Sequence, residues 1–524
     1  MATGGGSAIG RPLGSGSAEH DRRFAEHFVA TLEFNGLAND DCVIVFGAKG
    51  SGKTALMRAL QEFYADRFAT VHGVRLDDLK FGPLFAQLKK LDSASNHGVV
   101  SIARSMWRNV IAIYALEAIL ATNLLDQKKR TQTKKYLQSG GYLGTGATQK
   151  LSSHLERVWK LIDRWSRDTE SQGEHTLDAF TPKQHAIITA FPSDNQLSSL
   201  LVDSMKIVKS ANTPILLCID GLDSIIEHSI ESRNIIFAGL IDAAYKCVSD
   251  PLLSGWLNLK ILLPKELAHG ARRHLRDLDK AEQFIRNIHW GKADLAEFLR
   301  RRLDDHVKIK GRPFEEVWKE YFPEKVRNES HGFEEETFHY ILRHTFYRPR
   351  QVLFHIQGLL DKWDASSLSG RFRVDPSFIP KAIAEGNISL TEYIVNELEL
   401  DFPNLDQFLR SFRGVSCVQP WSEVRSRMER FLGLSGAELE QGFTDLYNYG
   451  LVGIRQHLSP DEPAMSSRRI ARYQFGFMTP RVRANVDWQL ANDSEIALAP
   501  MVKDFCGCKA SISGVVVPIV GGRI

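Results

Sequence analysis

Gly47-Ala48-Lys49-Gly50-Ser51-Gly52-Lys53-Thr54 is the stretch of this sequence whose residue types and spacing specify chemistry most directly. It follows G-x-x-x-x-G-K-[ST] in full, a turn suited to holding phosphate groups. Glycines at 47, 50 and 52 let the backbone curl, so that successive N–H groups point at phosphate oxygens. A helix starting near Lys53 adds the positive end of its dipole. Lys53 is then expected to reach the terminal phosphates, and the Thr54 hydroxyl to ligate Mg²⁺.

Such a loop needs a carboxylate at the end of a second buried strand beside it. Pro214-Ile215-Leu216-Leu217-Cys218-Ile219-Asp220 supplies one, and Asp220 is the expected magnesium partner of Thr54. The elements that position both groups follow from hydrophobic pattern. Cys42 to Phe46 is an uninterrupted apolar run rich in β-branched residues, as in a strand buried on both faces of a parallel sheet. Ala55–Phe68 has helical periodicity, and Ala69–Leu76 is expected to be a second strand. Residues 80–210 form a mostly helical insertion, with helices at Ser105–Leu125 and Ser152–Trp165. Between them Lys128, Lys129, Arg130, Lys134 and Lys135, followed by four glycines, read as an exposed basic loop. Leu257–Leu263 is another apolar run, ending at Pro264-Lys265. Near the start of the chain, Asp21–Leu37 reads as an amphipathic helix.

Composition narrows the class. The chain has 524 residues and a formal net charge of +3, which excludes a strongly basic nucleic-acid coat protein and a highly acidic tail. Six cysteines at this length make no disulfide framework, which suits a reducing cytoplasm. Cys506 and Cys508 form a lone C-G-C and read as small buried or surface thiols. The histidines show no metal-binding spacing. No secretory signal is visible, and Val110–Leu125, the most apolar stretch, contains Glu117 and reads as a packing helix, so no membrane contact is expected.

These residues resemble the P-loop ATPases of the AAA+/STAND group. The likeness rests on the loop at 47–54, the strand ending Asp220-Gly221-Leu222-Asp223, and Tyr347-Arg348-Pro349-Arg350 at the start of a helix. Asp279-Lys280, Ile288-His289-Trp290, Leu295 and Arg301-Arg302-Leu303 extend it towards a bacterial family of poorly defined role, over most of residues 30–480. The resemblance implies an α/β fold: a P-loop NTPase parallel sheet with a helical insertion, then an all-α lid and a winged-helix domain. The corresponding ranges are a flexible tail at 1–20, the core at 21–285, the lid at 286–385 and the C-terminal domain at 386–524. ATP is the implied nucleotide, with Mg²⁺. Ordinary AAA+ enzymes place Glu directly after the magnesium Asp to orient water. Gly221 stands there, which leaves Asp223 or Glu227 as the base; Asp223 reads equally as a helix N-cap. Lys265 occupies the place of a γ-phosphate sensor or is a solvated lysine. Arg350, with Arg348 next, is the lid arginine or a helix-start arginine paired with an acid. Arg272 and Arg273 are candidates for a finger acting in trans.

In the C-terminal part, Ser422–Leu432 and Ala437–Tyr449 read as helices. Leu451–Ile454 and Tyr473–Met478 read as a hairpin whose linker holds Arg468, Arg469 and Arg472. The second helix carries Glu438, Glu440 and Asp445 and no exposed cation, so it suits protein docking better than sequence-specific DNA reading. Three roles remain at this level. The first is an ATP-driven switch that oligomerises or recruits a protein effector, in bacterial stress or phage defence by analogy. The second is a DNA-associated loader touching DNA or RNA non-specifically through its basic segments. The third is an ATP-bound scaffold without hydrolysis.

Overall fold

The computed structural model describes residues 13–39, 43–75, 96–143, 195–221, 230–265, 270–271, 274, 282–304, 311–328, 331–366, 374–399, 401–455, 470–478, 490–511 and 515–519. Asp223, Glu227, Arg272, Arg273, Arg468, Arg469 and the helix expected at Ser152–Trp165 lie outside the described residues. The chain divides into two units, one of Leu32–Lys49 and Lys53–Ile288, the other of Met1–Thr31, Gly50–Gly52 and His289–Ile524.

The first unit is built on a five-stranded parallel sheet. Its strands are β1 (Ile44–Gly47), β2 (Thr70–Arg75), β3 (Ile215–Asp220), β4 (Leu257–Pro264) and β5 (Ile285–Asn287), in the order β2-β3-β4-β1-β5. β1 and β3 are buried at every residue, as unbroken apolar runs require when helices cover both faces of a sheet. β4 lies between the loop strand β1 and the carboxylate strand β3. The fifth strand has only three residues, too few to give a period in sequence.

Helices fill the connections. α3 (Lys53–Phe63) buries Leu56, Met57, Ala59 and Leu60 on one face. The insertion after β2 includes α4 (Asn96–Ala121), α5 (Gln127–Ser139) and α6 (Asn195–Ser210), and α7 (Ile230–Ser249) precedes β4. α4 crosses α7 closely. A Cβ on Gly239 would stand 2.5 Å from the Ala103 Cβ, and Trp107 Nε1 donates to Ile236 O at 3.1 Å. The basic stretch at 128–135 is therefore helix, not loop. Lys, Arg and Gln are good helix formers, and Asp126 caps the first turn by accepting from Lys129 N at 2.7 Å. Val110–Ile119 is buried throughout, and no helix among the described residues is long and apolar enough to cross a membrane.

In the second unit, α1 (Phe24–His27) ends before Phe28; α2 (Leu32–Asn39) starts in the other unit, so the single helix expected at 21–37 is two. The described part of the expected N-terminal tail is anchored. Leu13 is buried, and its carbonyl accepts from Arg302 Nη1 at 2.7 Å. The same guanidinium meets Asp21 Oδ2 at 3.0 Å, and Asp21 also holds His27 Nδ1 at 2.9 Å. A buried arginine needs acceptors, and this segment supplies them.

Helices α8 (Lys292–Leu303), α9 (Phe314–Tyr321), α10 (Thr337–Arg343), α11 (Pro349–Ser366) and α12 (Phe378–Glu397) share one apolar core. The lid region is not purely helical. β6 (Lys325–Asn328) and β7 (Phe333–Glu336) form an antiparallel hairpin, tied to α10 by Arg343 Nη2 on Glu335 Oε1 at 2.9 Å. α12 runs unbroken through the expected boundary at 385. Beyond it, α13 (Leu405–Arg410), α14 (Trp421–Arg427, continued by a π turn to Leu432) and α15 (Gly436–Tyr449) lead into a five-stranded sheet. That sheet comprises β8 (Val418–Pro420), β9 (Val452–Arg455), β10 (Ile470–Phe475), β11 (Glu495–Leu498) and β12 (Val515–Ile519), in the order β12-β10-β9-β11-β8. The expected hairpin is present as β9 and β10, antiparallel, and Gly450 ends α15 at φ +88°. α16 (Pro500–Cys506) packs on α12, where Asn387 Nδ2 donates to Asp504 Oδ2 at 2.6 Å.

Candidate nucleotide site

Gly47 closes β1 in extended conformation, so the curl of the loop rests on two glycines rather than three. Gly50 has φ +81° and Gly52 φ +101°, values that side chains with a Cβ rarely adopt. Gly50 is also crowded: a Cβ there would stand 3.0 Å from the Arg350 Cβ. After this turn the chain enters α3 at Lys53. The Lys53 side chain is buried and its Nζ donates to Gly47 O at 2.9 Å, spanning the loop from end to start. Ala48, Lys49 and Gly50 are partly accessible.

Thr54 Oγ1 donates to Asp220 Oδ2 at 2.8 Å, across 166 residues of sequence. Asp220 is 3% exposed. Although β4 separates their strands, the start of α3 brings the hydroxyl to the carboxylate. The pair offers hard oxygen atoms side by side, the donor set that Mg²⁺ prefers. The Ser51 Oγ is buried and has no hydrogen-bond partner among the described residues. An orphaned hydroxyl inside a loop of this kind is what an anionic ligand would satisfy. The residues present therefore fit a magnesium nucleotide.

Gly221 follows Asp220 with φ +82°. A glutamate would be strained there, so the departure from the D-E pattern is fixed by the backbone itself. Lys265 directly follows β4, which adjoins β1, and its N–H donates to Gly47 O at 3.2 Å. Arg348 is buried with its guanidinium 5.2 Å above the Phe346 ring. Arg350, in the first turn of α11, is exposed, and its N–H faces Gly50 O at 3.4 Å.

Sequence reasoning gave no site role to two residues. Trp290 Nε1 donates to Ser51 O at 2.8 Å, bracing the tip of the loop. Tyr347 has φ +53°, uncommon for a bulky residue, and sets the turn from which Arg348-Pro349-Arg350 emerges. Burial pushes its hydroxyl up to about 12. The Ile288-His289-Trp290 string was visible as part of a resemblance, but nothing local in it points to a loop carbonyl. Among the described residues no group of three or more His, Cys, Asp or Glu forms a metal cluster, and Cys506 and Cys508 are free thiols.

Residues 11–228 match the family described as ORC-CDC6-like, and residues 293–385 match the FunZ-associated C-terminal helical domain. A curated relative, the "Putative transposon gamma-delta 80.3 kDa protein" of Escherichia coli (strain K12), is 21% identical over 468 residues. That alignment takes in 85% of this chain and 62% of the relative, so the chain spans less than two thirds of the relative's length. Among solved structures, a Walker-type ATPase of Pyrococcus abyssi is similar at 13% identity and TM-score 0.35, covering 86% of this chain and 93% of that one. The ORC2 protein of Aeropyrum pernix, in ADPNP and ADP complexes, is similar at 12% identity and TM-score 0.37, covering 91% and 92%. At such scores these two structures add nothing to the sheet order and the loop. The parallel sheet, the loop at 47–54 with Asp220, and the ORC-CDC6-like match over the same residues give this chain an α/β P-loop fold with a helical lid region.

Proposed function

We propose that the chain is an ATP-dependent switch of the AAA+/STAND kind. The observation that carries this reading is the Thr54–Asp220 contact, set beside an unpartnered Ser51 Oγ and the buried Lys53. In it Lys53 and the loop amides hold the phosphates, while Thr54 and Asp220 hold Mg²⁺. When bound, Mg²⁺ would neutralise charge on the phosphates. Arg350 is the exposed arginine of the Arg348-Pro349-Arg350 turn, whereas Arg348 is buried over Phe346. Lys265 is the polar group at the end of the strand next to β1. With glycine at 221 no carboxylate directly follows Asp220, so hydrolysis is slow and the bound state long-lived. The C-terminal module, read as a winged helix on the order helix, helix, strand, strand, passes the nucleotide state to a second copy or a protein effector.

Phosphate release and particle mass test this together. The wild type should release phosphate slowly from ATP, Lys53→Ala should not, and ATP should increase the mass of the wild type only. A protein that binds ATP but releases no phosphate is a scaffold, and one that binds no nucleotide overturns the proposal.

A further inference from the structure

α5 concentrates positive charge that the phosphate loop does not use. Its sequence, QKKRTQTKKYLQS, holds five cations and no acid. Thr133 and Leu137 fix the inward face, with Leu137 packed among Ala112, Ile113 and Leu116 of α4. Arg130 is engaged with the end of α4, donating to Leu120 O at 3.1 Å and to Thr122 O. The Asp126 carboxylate is taken up by the Lys129 backbone. Lys128, Lys129, Lys134 and Lys135 remain exposed, and among the described residues none of these four ammonium groups pairs with a carboxylate. Exposed Gln127, Thr131, Gln132 and Gln138 lie between them.

We propose that this face binds the phosphodiester backbone of a nucleic-acid duplex without reading its sequence. Unpaired ammonium groups gain most from a polyanion, because each phosphate they neutralise releases a condensed counterion. The interleaved amides and hydroxyl suit phosphate and sugar oxygens. Two other polyanions fit less well. A lipid surface calls for an apolar face, and α5 exposes no large apolar side chain. Single-stranded bases call for aromatic platforms, and the helix's one aromatic, Tyr136, is half-buried. Lys128 to Lys135 spans about 10 Å of helix, roughly three base-pair steps of duplex.

The test is fluorescence anisotropy of a labelled duplex of about 30 base pairs and arbitrary sequence, with the full chain, across a salt series. The wild type should bind at low salt. The variant with Lys128, Lys129, Lys134 and Lys135 all changed to Gln should show a salt slope shallower by about 3.6, at 0.9 per phosphate. A fourfold rise in salt should then weaken the wild type about 150-fold more than this variant. The double variant Lys134→Gln/Lys135→Gln should lose about half as much slope, and the four Lys→Arg changes should keep it. Matched melting curves establish that the variants fold, and retained nucleotide affinity separates this result from any failure of the loop. The proposal is overturned by a wild type that does not bind the duplex, or by an unchanged slope in the folded Gln variant. Loss of binding to phosphatidylserine vesicles or polyglutamate, with duplex binding intact, overturns it as well.

Discussion

Thr54→Val removes one hydroxyl and almost no volume. In the metal-free protein it takes away the 2.8 Å hydrogen bond to Asp220 Oδ2, whose carboxylate is 3% exposed. A hydrogen bond to a charged group contributes about 1.5–3 kcal/mol, and burial places this one in the upper half of that range. Denaturant unfolding without nucleotide should therefore show Thr54→Val less stable by about 2.5 kcal/mol, and Thr54→Ser close to wild type. With Mg²⁺ and nucleotide at about 100 times the dissociation constant, the wild type should gain about 2.7 kcal/mol. Omitting Mg²⁺ should remove much of that gain from the wild type but change nothing in Thr54→Val, which has no hydroxyl to offer the ion. Asp220→Asn separates the two effects. It keeps an acceptor for Thr54 while removing the charge, so it should lose the magnesium dependence without the full cost in the metal-free state. If Thr54→Val keeps the wild-type response to Mg²⁺, the hydroxyl is not a metal ligand and the assignment of the site is wrong. If it costs nothing without ligand, the contact with Asp220 is not a formed hydrogen bond.

Two further outcomes follow from geometry. Gly50 and Gly255 have nearly the same left-handed φ, +81° and +76°, but a Cβ at 255 would meet nothing within 4 Å while one at 50 would crowd Arg350. Gly255→Ala should cost about 1 kcal/mol of stability and leave nucleotide binding alone, whereas Gly50→Ala should also weaken binding on the order of tenfold, measured by calorimetry. His355 is buried, its Nε2 at 3.2 Å from His344 O, and burial lowers its pKa from 6.5 to about 4. The unfolded chain takes up a proton there first, so stability present above about pH 6.5 should be lost as pH falls towards about 4, by roughly 3 kcal/mol. His344, held well below its usual value by burial, adds to the same slope. Unfolding measured across that window should be flatter in His355→Gln, and an equal slope in the variant would show that this ring does not stay neutral.

The loop was legible because its chemistry is local: eight consecutive residues state the turn, the cation and the metal ligand. Asp220 was legible for a related reason, since a buried strand ending in a lone acid is unusual. What sequence could not give was strand order. Placing β4 between β1 and β3 depends on pairings such as Ile44 with Ile261 and Cys218 with Lys260, which join residues far apart in the chain. The misread basic segment shows a different limit. Glycines after residue 139 and a run of like charge suggested a loop, but residue-by-residue helix propensity and one cap at Asp126 outweighed both. The anchoring of Leu13 by Arg302 was hidden because nothing in a Gly/Ser-rich start reveals that a buried guanidinium elsewhere lacks acceptors.

Gly221 joins the two levels. From sequence it is a departure from a pattern, and the departure leaves the identity of the water-orienting group open. In the structure Gly221 follows a fully buried strand at φ +82°, a backbone conformation that a glutamate would resist. A base at that position would need both a new side chain and a different φ at residue 221. Asp223 and Glu227 are the acids that the sequence offers further along for that role. In the proposed switch, Lys53, Thr54 and Asp220 are the retained parts that would bind the nucleotide, and the altered part is the one that would help cleave it. That division is what a slow switch needs: tight recognition of the triphosphate state, with turnover set by a separate and weaker element.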